Sequence, residues 1–252
     1  MLNLQPTCMY TQKRGNAKEE YEDAWAYIPR GIRSTVANVA KRFRVALADG
    51  ASESAFSEQW AKLLVDDYVT RPYIRPKTML NRSKLLATQW REKVRRPDLP
   101  WYIAEKIRAG AYSTLLGLSI CGQSGQWRAI SIGDTCLFQI RDGELKAAWP
   151  LDRQELFGRS PVLLSTNHDA TKDLSKNIVM KDGQADAGDI FILATDALSA
   201  WFLEQHERAK QPWLTLARVN PKEFADWIED LRSNSEIRND DVTCIICRIM
   251  EA

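Results

Sequence analysis

From Ser113 the chain settles into short apolar runs broken by glycine-bearing turns. Residues 113–120, 126–132 and 135–140 are successive runs of strand length. Turn signals separate them at 122–125, at Gly133-Asp134 and at Asp142-Gly143. Three short strands in a meander call for an antiparallel sheet, because only hairpin-length links are available. Further apolar runs at 44–48, 190–194 and 242–249 add buried strands. Between these blocks the period changes. Phe56, Trp60, Leu63, Leu64 and Tyr68 fall at helical spacing within 52–70, and Asn220-Pro221 opens a segment with Phe224, Trp227, Ile228 and Leu231 on one face. Residues 150–188 show no clear period and read as loops. The pattern is that of an α+β domain with largely antiparallel sheets.

A chain of 252 residues, 44% hydrophobic, suits one domain spanning 1–252. Its formal net charge of +2 gives no global field for nucleic acid or an anionic membrane. Cys8, Cys121, Cys136, Cys244 and Cys247 are odd in number and lack disulfide-like spacing. The N-terminal stretch has no signal-peptide core, and no apolar run approaches the roughly 20 residues of a membrane span. A soluble, cytoplasmic protein is expected.

Three carboxylates stand at the ends of apolar runs. Asp49 and Asp196 follow theirs, whereas Asp240 precedes the last one. If the first two strands run antiparallel to the last, all three acids reach the same end of a sheet. Gathered there they repel one another unless a cation lies between them. Hard divalent ions such as Mg²⁺ or Mn²⁺ take such oxygen ligands. Gly50 lets another group approach its backbone closely, and Glu22-Asp23 adds an acidic pair beside a strand-like run. Taken singly, an aspartate at a strand end is an ordinary turn or cap residue.

Together, Glu22-Asp23, Ala48-Asp49-Gly50, Ile132-Gly133-Asp134, Ala194-Thr195-Asp196 and Asp240-Asp241-Val242-Thr243 resemble, in order and spacing, the metal-dependent protein phosphatases of type 2C. The resemblance runs from about residue 11 to residue 249. It implies two antiparallel β-sheets packed as a sandwich and flanked by helices, with two Mn²⁺ or Mg²⁺ ions in a cleft. It also implies that Asp49 bridges both metals, the Gly50 carbonyl completes one shell, and Asp196 and Asp240 hold the other ion. Glu22 and Asp23 would act through metal-bound waters, and Asp134 would help bind a third, weaker ion. The implied activity is hydrolysis of phosphoserine and phosphothreonine in proteins by a metal-bridging hydroxide. A phosphorylated protein substrate and a cognate Ser/Thr kinase are the implied partners.

The chain departs from that pattern in places. Ala51 stands where many relatives have a histidine, and the chain's histidines are His168 and His206. The stretch DGASESAFSEQWA resembles the smaller bacterial-type members. Lys18 aligns with the phosphate-binding arginine, keeping the charge without the two-pronged donor geometry, and Arg14 is a nearby substitute. Ala197 replaces the usual glycine, and Ala200 stands where an acid is often found.

Other signals compete. Cys8 and Arg14 match the C-x₅-R spacing of cysteine phosphatases, but the residues between are bulky and include no glycine. Cys244 and Cys247 have redox or zinc spacing, yet positions i and i+3 of a strand face opposite ways, so core packing is expected. Residues 71–108 carry eleven Arg and Lys against three Asp and Glu. With Trp90 and Trp101 that segment could be offered for nucleic acid, but a solvated helical face, broken around Pro97 and Pro100, explains it better. The rival function is a catalytically inactive phosphoprotein-binding module of the same fold. Ala51, Lys18 and Ala197 favour the module, and the three retained acids favour the enzyme.

Overall fold

The apolar runs form strands, and these sort into two five-stranded antiparallel sheets. The structure, a computed structural model, describes residues 1–28, 42–96, 100–158, 160–167 and 174–251. Two compact units result, each built on one sheet. The first comprises Met1–Tyr21, Asp134–Ser160 and Ala185–Ala252; the second comprises Glu22–Gly133 and Pro161–Gln184.

In the first unit the strands, numbered along the whole chain, are β1 (Leu2–Thr11), β7 (Cys136–Arg141), β8 (Glu144–Trp149), β11 (Ile190–Ala194) and β12 (Val242–Glu251). Their order is β1-β12-β11-β7-β8, with every neighbour antiparallel. β12 is apolar on both faces. Cys244 and Ile246 join the helix-side core, while Ile245 and Cys247 are buried on the opposite face. The two thiols therefore do not meet, and both are free. Helices α4 (Asp196–Glu207), α5 (Pro212–Arg218) and α6 (Phe224–Ser233) supply the other half of that core. Phe138 on β7 stacks on Phe202 of α4 at 4.0 Å between ring centroids. Such fully buried rings contribute about 2 kcal/mol each. Asp142 and Gly143 both adopt positive φ, 53° and 73°, which is the turn a tight β7–β8 hairpin needs.

The second unit orders its sheet β10-β6-β5-β3-β2, where β2 is Ala24–Ile28, β3 Arg42–Ala48, β5 Leu115–Cys121, β6 Gln126–Ile132 and β10 Val179–Gln184. A short ladder pairs β4 (Tyr112–Ser113) with β9 (Leu164–Ser165). Helices α1 (Ser57–Thr70), α2 (Pro76–Val94) and α3 (Trp101–Ala109) belong to this unit. Trp60 of α1 is wholly buried and donates its indole N–H to the Leu164 carbonyl at 3.0 Å. Trp90 of α2 is buried too, donating to the Phe56 carbonyl at 3.1 Å, so it is a core anchor and no stacking platform.

Several boundaries differ from the sequence expectation. α1 starts at Ser57, five residues after position 52, because Ser54 closes a turn first: its N–H and hydroxyl both reach the Ala51 carbonyl. α6 likewise starts at Phe224, since Asn220 first forms a local turn by accepting from the Lys222 N–H. The basic segment holds α2 and α3. The break between them includes Pro100, while Pro97 lies outside the described residues, as does His168. Residues 150–188 contain the edge strand β10, whose polar VMKDGQ sequence carries no apolar period.

Candidate active site

In the second unit, the ladder between β2 and β3 pairs Ala24 with Ala48. Glu22 and Asp23 directly precede β2, and Asp49 and Gly50 directly follow β3, so the four lie at one end of this ladder. The closeness is real at Gly50: a Cβ there would lie 2.7 Å from the Glu22 carbonyl oxygen and 3.0 Å from Ser57 Cβ. Glycine is required for that approach, not for a left-handed turn. The Asp49 backbone is fixed from the β4–β5 side. Its N–H donates to Thr114 Oγ1 at 2.8 Å, and its carbonyl accepts from the Thr114 N–H at 2.9 Å and the Ser113 hydroxyl at 2.8 Å. Buried Ser57, at the start of α1, donates to Glu22 Oε1 at 2.5 Å. Glu22, Asp23, Asp49 and Gly50 thus collect at one end of this sheet.

In the first unit, β11 and β12 run antiparallel with Ala194 opposite Cys244. Asp196, just past β11, and Asp240, just before β12, therefore share one end of that sheet, as the strand argument required. Asp49 does not belong to it. Its strand β3 lies in the other sheet, so the three acids do not share a single sheet end. The place beside Asp196 and Asp240 is taken by Asp134, at the start of the β7 arm. Burial and the charges of Asp196 and Asp240 push the Asp134 carboxyl up to about 6, against the pull of Arg238. Asp196 is also raised, chiefly by burial, with Asp240 adding to it and Arg238 opposing. The N-terminal position on α4 gives Asp196 a favourable helix dipole and a bond from the Ala197 N–H.

Arg238 is the residue that sequence reasoning missed. Its guanidinium donates to Asp196 Oδ2, and the carboxylates of Asp196, Asp240 and Asp134 all raise its pKa against burial. A cation two positions before Asp240 was the available signal. Arg232, on α6, supports the same corner by donating to the Asp240 carbonyl at 2.6 Å. Asp241 turns away and accepts from the Lys13 N–H at 2.7 Å, tying the end of β1 to the start of β12.

The remaining candidates separate clearly. Lys18 lies exposed in a single 3₁₀ turn, Lys18–Glu20. Arg14 is committed elsewhere, with an ion pair to Glu229 and a 2.8 Å bond to Ser233 on α6. Cys8 sits mid-strand opposite Ile245, and the extended chain to Thr11 leaves no loop to cradle a phosphate, which removes the C-x₅-R reading. His206 lies near the C-terminal end of α4 with its ring against Trp213. Ala51 offers only its backbone, donating to the Tyr112 carbonyl at 2.9 Å.

No protein-family model and no curated protein matches this sequence. Solved structures do match. The catalytic domain of the serine/threonine protein phosphatase PstP, in complex with two manganese ions, aligns with a TM-score of 0.62 at 19% identity over 100% of both chains. The serine/threonine phosphatase PstP/Ppp of Mycobacterium tuberculosis aligns at 0.60 and 19%, over 98% of this chain and 99% of that one. The PP2C phosphatase domain of SpoIIE from Bacillus subtilis, with a fragment of its regulatory domain, aligns at 0.59 and 17%, over 100% of this chain and 64% of that one. The chain has the PP2C phosphatase fold. Within that PP2C fold the donor set suits a hard divalent cation. The acids are oxygen donors, and in the first unit burial, with neighbouring carboxylates adding to it, raises Asp134 and Asp196. As they stand, no three or more His, Cys, Asp or Glu among the described residues are arranged to hold a metal ion, and Asp196 is engaged by Arg238.

Proposed function

We propose that this chain is a metal-dependent protein serine/threonine phosphatase of the PP2C type, its two units forming one phosphatase domain over 1–252. The observation that supports the reading is the placement of Asp134, Asp196 and Asp240 together at strand ends of a PP2C fold, where burial and then neighbouring carboxylates raise two of the carboxyls. Asp49 would bridge two Mn²⁺ or Mg²⁺ ions, with the Gly50 carbonyl, Asp196 and Asp240 as further ligands. Glu22 and Asp23 would support them from one remove, and Asp134 would serve a third, weaker ion. Bound ions supply a water that ionises near neutral pH and positive charge facing the phosphoryl oxygens.

The chain's own residues set the rest. Thr114 and Ser113 pin the Asp49 backbone, and Ser57 orients the Glu22 carboxylate. Lys18, exposed, carries the charge for the substrate phosphate as a point cation without arginine's fork. Ala51 brings no side chain to protonate a leaving alkoxide, so solvent supplies that proton. The substrate is a phosphorylated protein, acting with a cognate Ser/Thr kinase in cytoplasmic signalling; no helix among the described residues is long and apolar enough to cross a membrane.

A second reading, a phosphoprotein-binding module without turnover, draws on the Arg238–Asp196 pair, which places a permanent cation among the acids. One assay separates the two. After EDTA treatment, adding Mn²⁺ should restore hydrolysis of a phosphothreonine peptide, and thiol alkylation should leave the rate unchanged. Peptide binding without any Mn²⁺-dependent release of phosphate would establish the module instead.

A further inference from the structure

The second unit has a cavity at the end of its sheet remote from Asp49. It opens where β3 begins, at Arg42, roughly 20 Å of strand away from the acids. Its volume is about 450 Å³, the size of a small-molecule site. The cause is visible in the register. On the helix-covered face, Arg44, Ser119, Arg128 and Asp182 lie side by side across four strands. Arg42, at the start of β3, pairs with Cys121 in the next row. The apolar face therefore turns polar just where α1 ends at Thr70.

The floor is the Tyr68 ring. It is 1% exposed and lies so flat on β5 that a Cβ at Gly117 would fall 2.4 Å from it. Among the described residues its hydroxyl has no hydrogen-bond partner, yet Arg44 and Arg128 both act on it electrostatically. The Tyr68 phenol lines the cavity with its donor uncommitted to the protein, so it can donate to a bound acceptor. The cations are not equivalent. Arg44 is anchored through Nη1, which donates to the Val69 and Thr70 carbonyls at the end of α1, and Arg128 pairs with Asp182 at 2.6 Å. Arg42 has no ion-pair partner among the described residues and lines the opening. Pro72, Tyr73, Ile74 and Trp127 make the walls apolar.

We infer that this cavity binds a small organic anion with a flat apolar body, its carboxylate or phosphate held by Arg42 and the Tyr68 hydroxyl and its body set against Tyr73 and Trp127. The site is separate from the acids and does not rest on the phosphatase reading.

Phenylphosphonate and benzoate are suitable probes, because neither carries a phosphoester to be hydrolysed and together they distinguish phosphate-like from carboxylate ligands. Titration into metal-free protein in EDTA, followed by ¹H–¹⁵N NMR, should give saturable shifts at Ser119, Cys121 and Gly183 for at least one probe at millimolar concentration. Arg42→Ala should weaken binding about tenfold through loss of a charged hydrogen bond. Tyr68→Phe keeps the ring over Gly117 and should weaken it about fivefold, the worth of one hydrogen bond. Benzylamine, of similar size and opposite charge, should not bind. Absence of saturable shifts with either anion, equal affinity in both variants, or equal binding of benzylamine would overturn the site.

Discussion

Single residues in this chain do jobs that only their chemistry permits. Gly50 is the clearest case. Adding a methyl group at Gly50→Ala would press it against the Glu22 carbonyl, and backbone cannot yield as a side-chain tip can. A loss of about 2 kcal/mol in denaturant unfolding is expected, with Mn²⁺ affinity falling alongside. Stability equal to wild type would show that β2 shifts freely. Arg238 works in the opposite sense, as a cation tethered among carboxylates. Arg238→Gln should lower metal-free stability by leaving Asp134, Asp196 and Asp240 to repel one another, and should tighten Mn²⁺ binding about tenfold by freeing Asp196. Calorimetric titration reads the affinity, and the Mn²⁺-induced rise in Tm should grow with it. A smaller rise than in wild type would make Arg238 a partner of the ion and not its competitor. The sequence exposed the acids because their spacing is linear. It did not expose Arg238, whose significance depends on Asp196, distant in the chain.

At the scale of elements, the first unit shows how the end of two central strands is secured. Asp189, just before β11, is 1% exposed and receives Arg141 through both Nε and Nη2 at 2.7 Å, with Gln139 adding a bond at 2.8 Å. Burial pushes its carboxyl up, but the bonds from Arg141 and Gln139 outweigh this and hold it below the ordinary range. A depressed folded pKa means stability that is fully present above about pH 4, the unfolded value, and is lost as pH falls through the folded one. Asp189→Asn should therefore cost about 2 kcal/mol at neutral pH and flatten the acid limb of the stability curve. An unchanged acid limb would assign it to other carboxylates. Elements were legible where apolar periodicity was strong: β5, β6, β7, β11 and β12 fall within a few residues of their runs. β10 was not, because a polar edge strand is defined by its partner β6 and not by its own pattern. The helix starts were misplaced for a related reason. Ser54 and Asn220 form turns with backbone a few residues away, and periodicity cannot see those bonds.

Over the whole molecule, the α+β class and antiparallel pairing followed from run lengths and turns, the pair of sheets from the family resemblance, and the solved structures that share the fold cover the chain from end to end. The placement of the acids was only partly readable. Spacing along the sequence put Asp196 and Asp240 at one sheet end, but it could not tell that Asp49 belongs to a second sheet. The central proposal is that Asp49 and Asp196 are both ligands for divalent ions in a metal-dependent phosphatase. The most direct measurement pairs Mn²⁺ titration calorimetry with phosphothreonine-peptide hydrolysis for wild type, Asp49→Asn and Asp196→Asn. Each substitution keeps shape and removes one charge, one in each unit. Both variants should remain folded, bind Mn²⁺ at least about tenfold more weakly and lose hydrolysis in parallel, since each carboxylate is a charged ligand. If either variant binds Mn²⁺ and turns over substrate like wild type, that aspartate is not a metal ligand and the proposal fails.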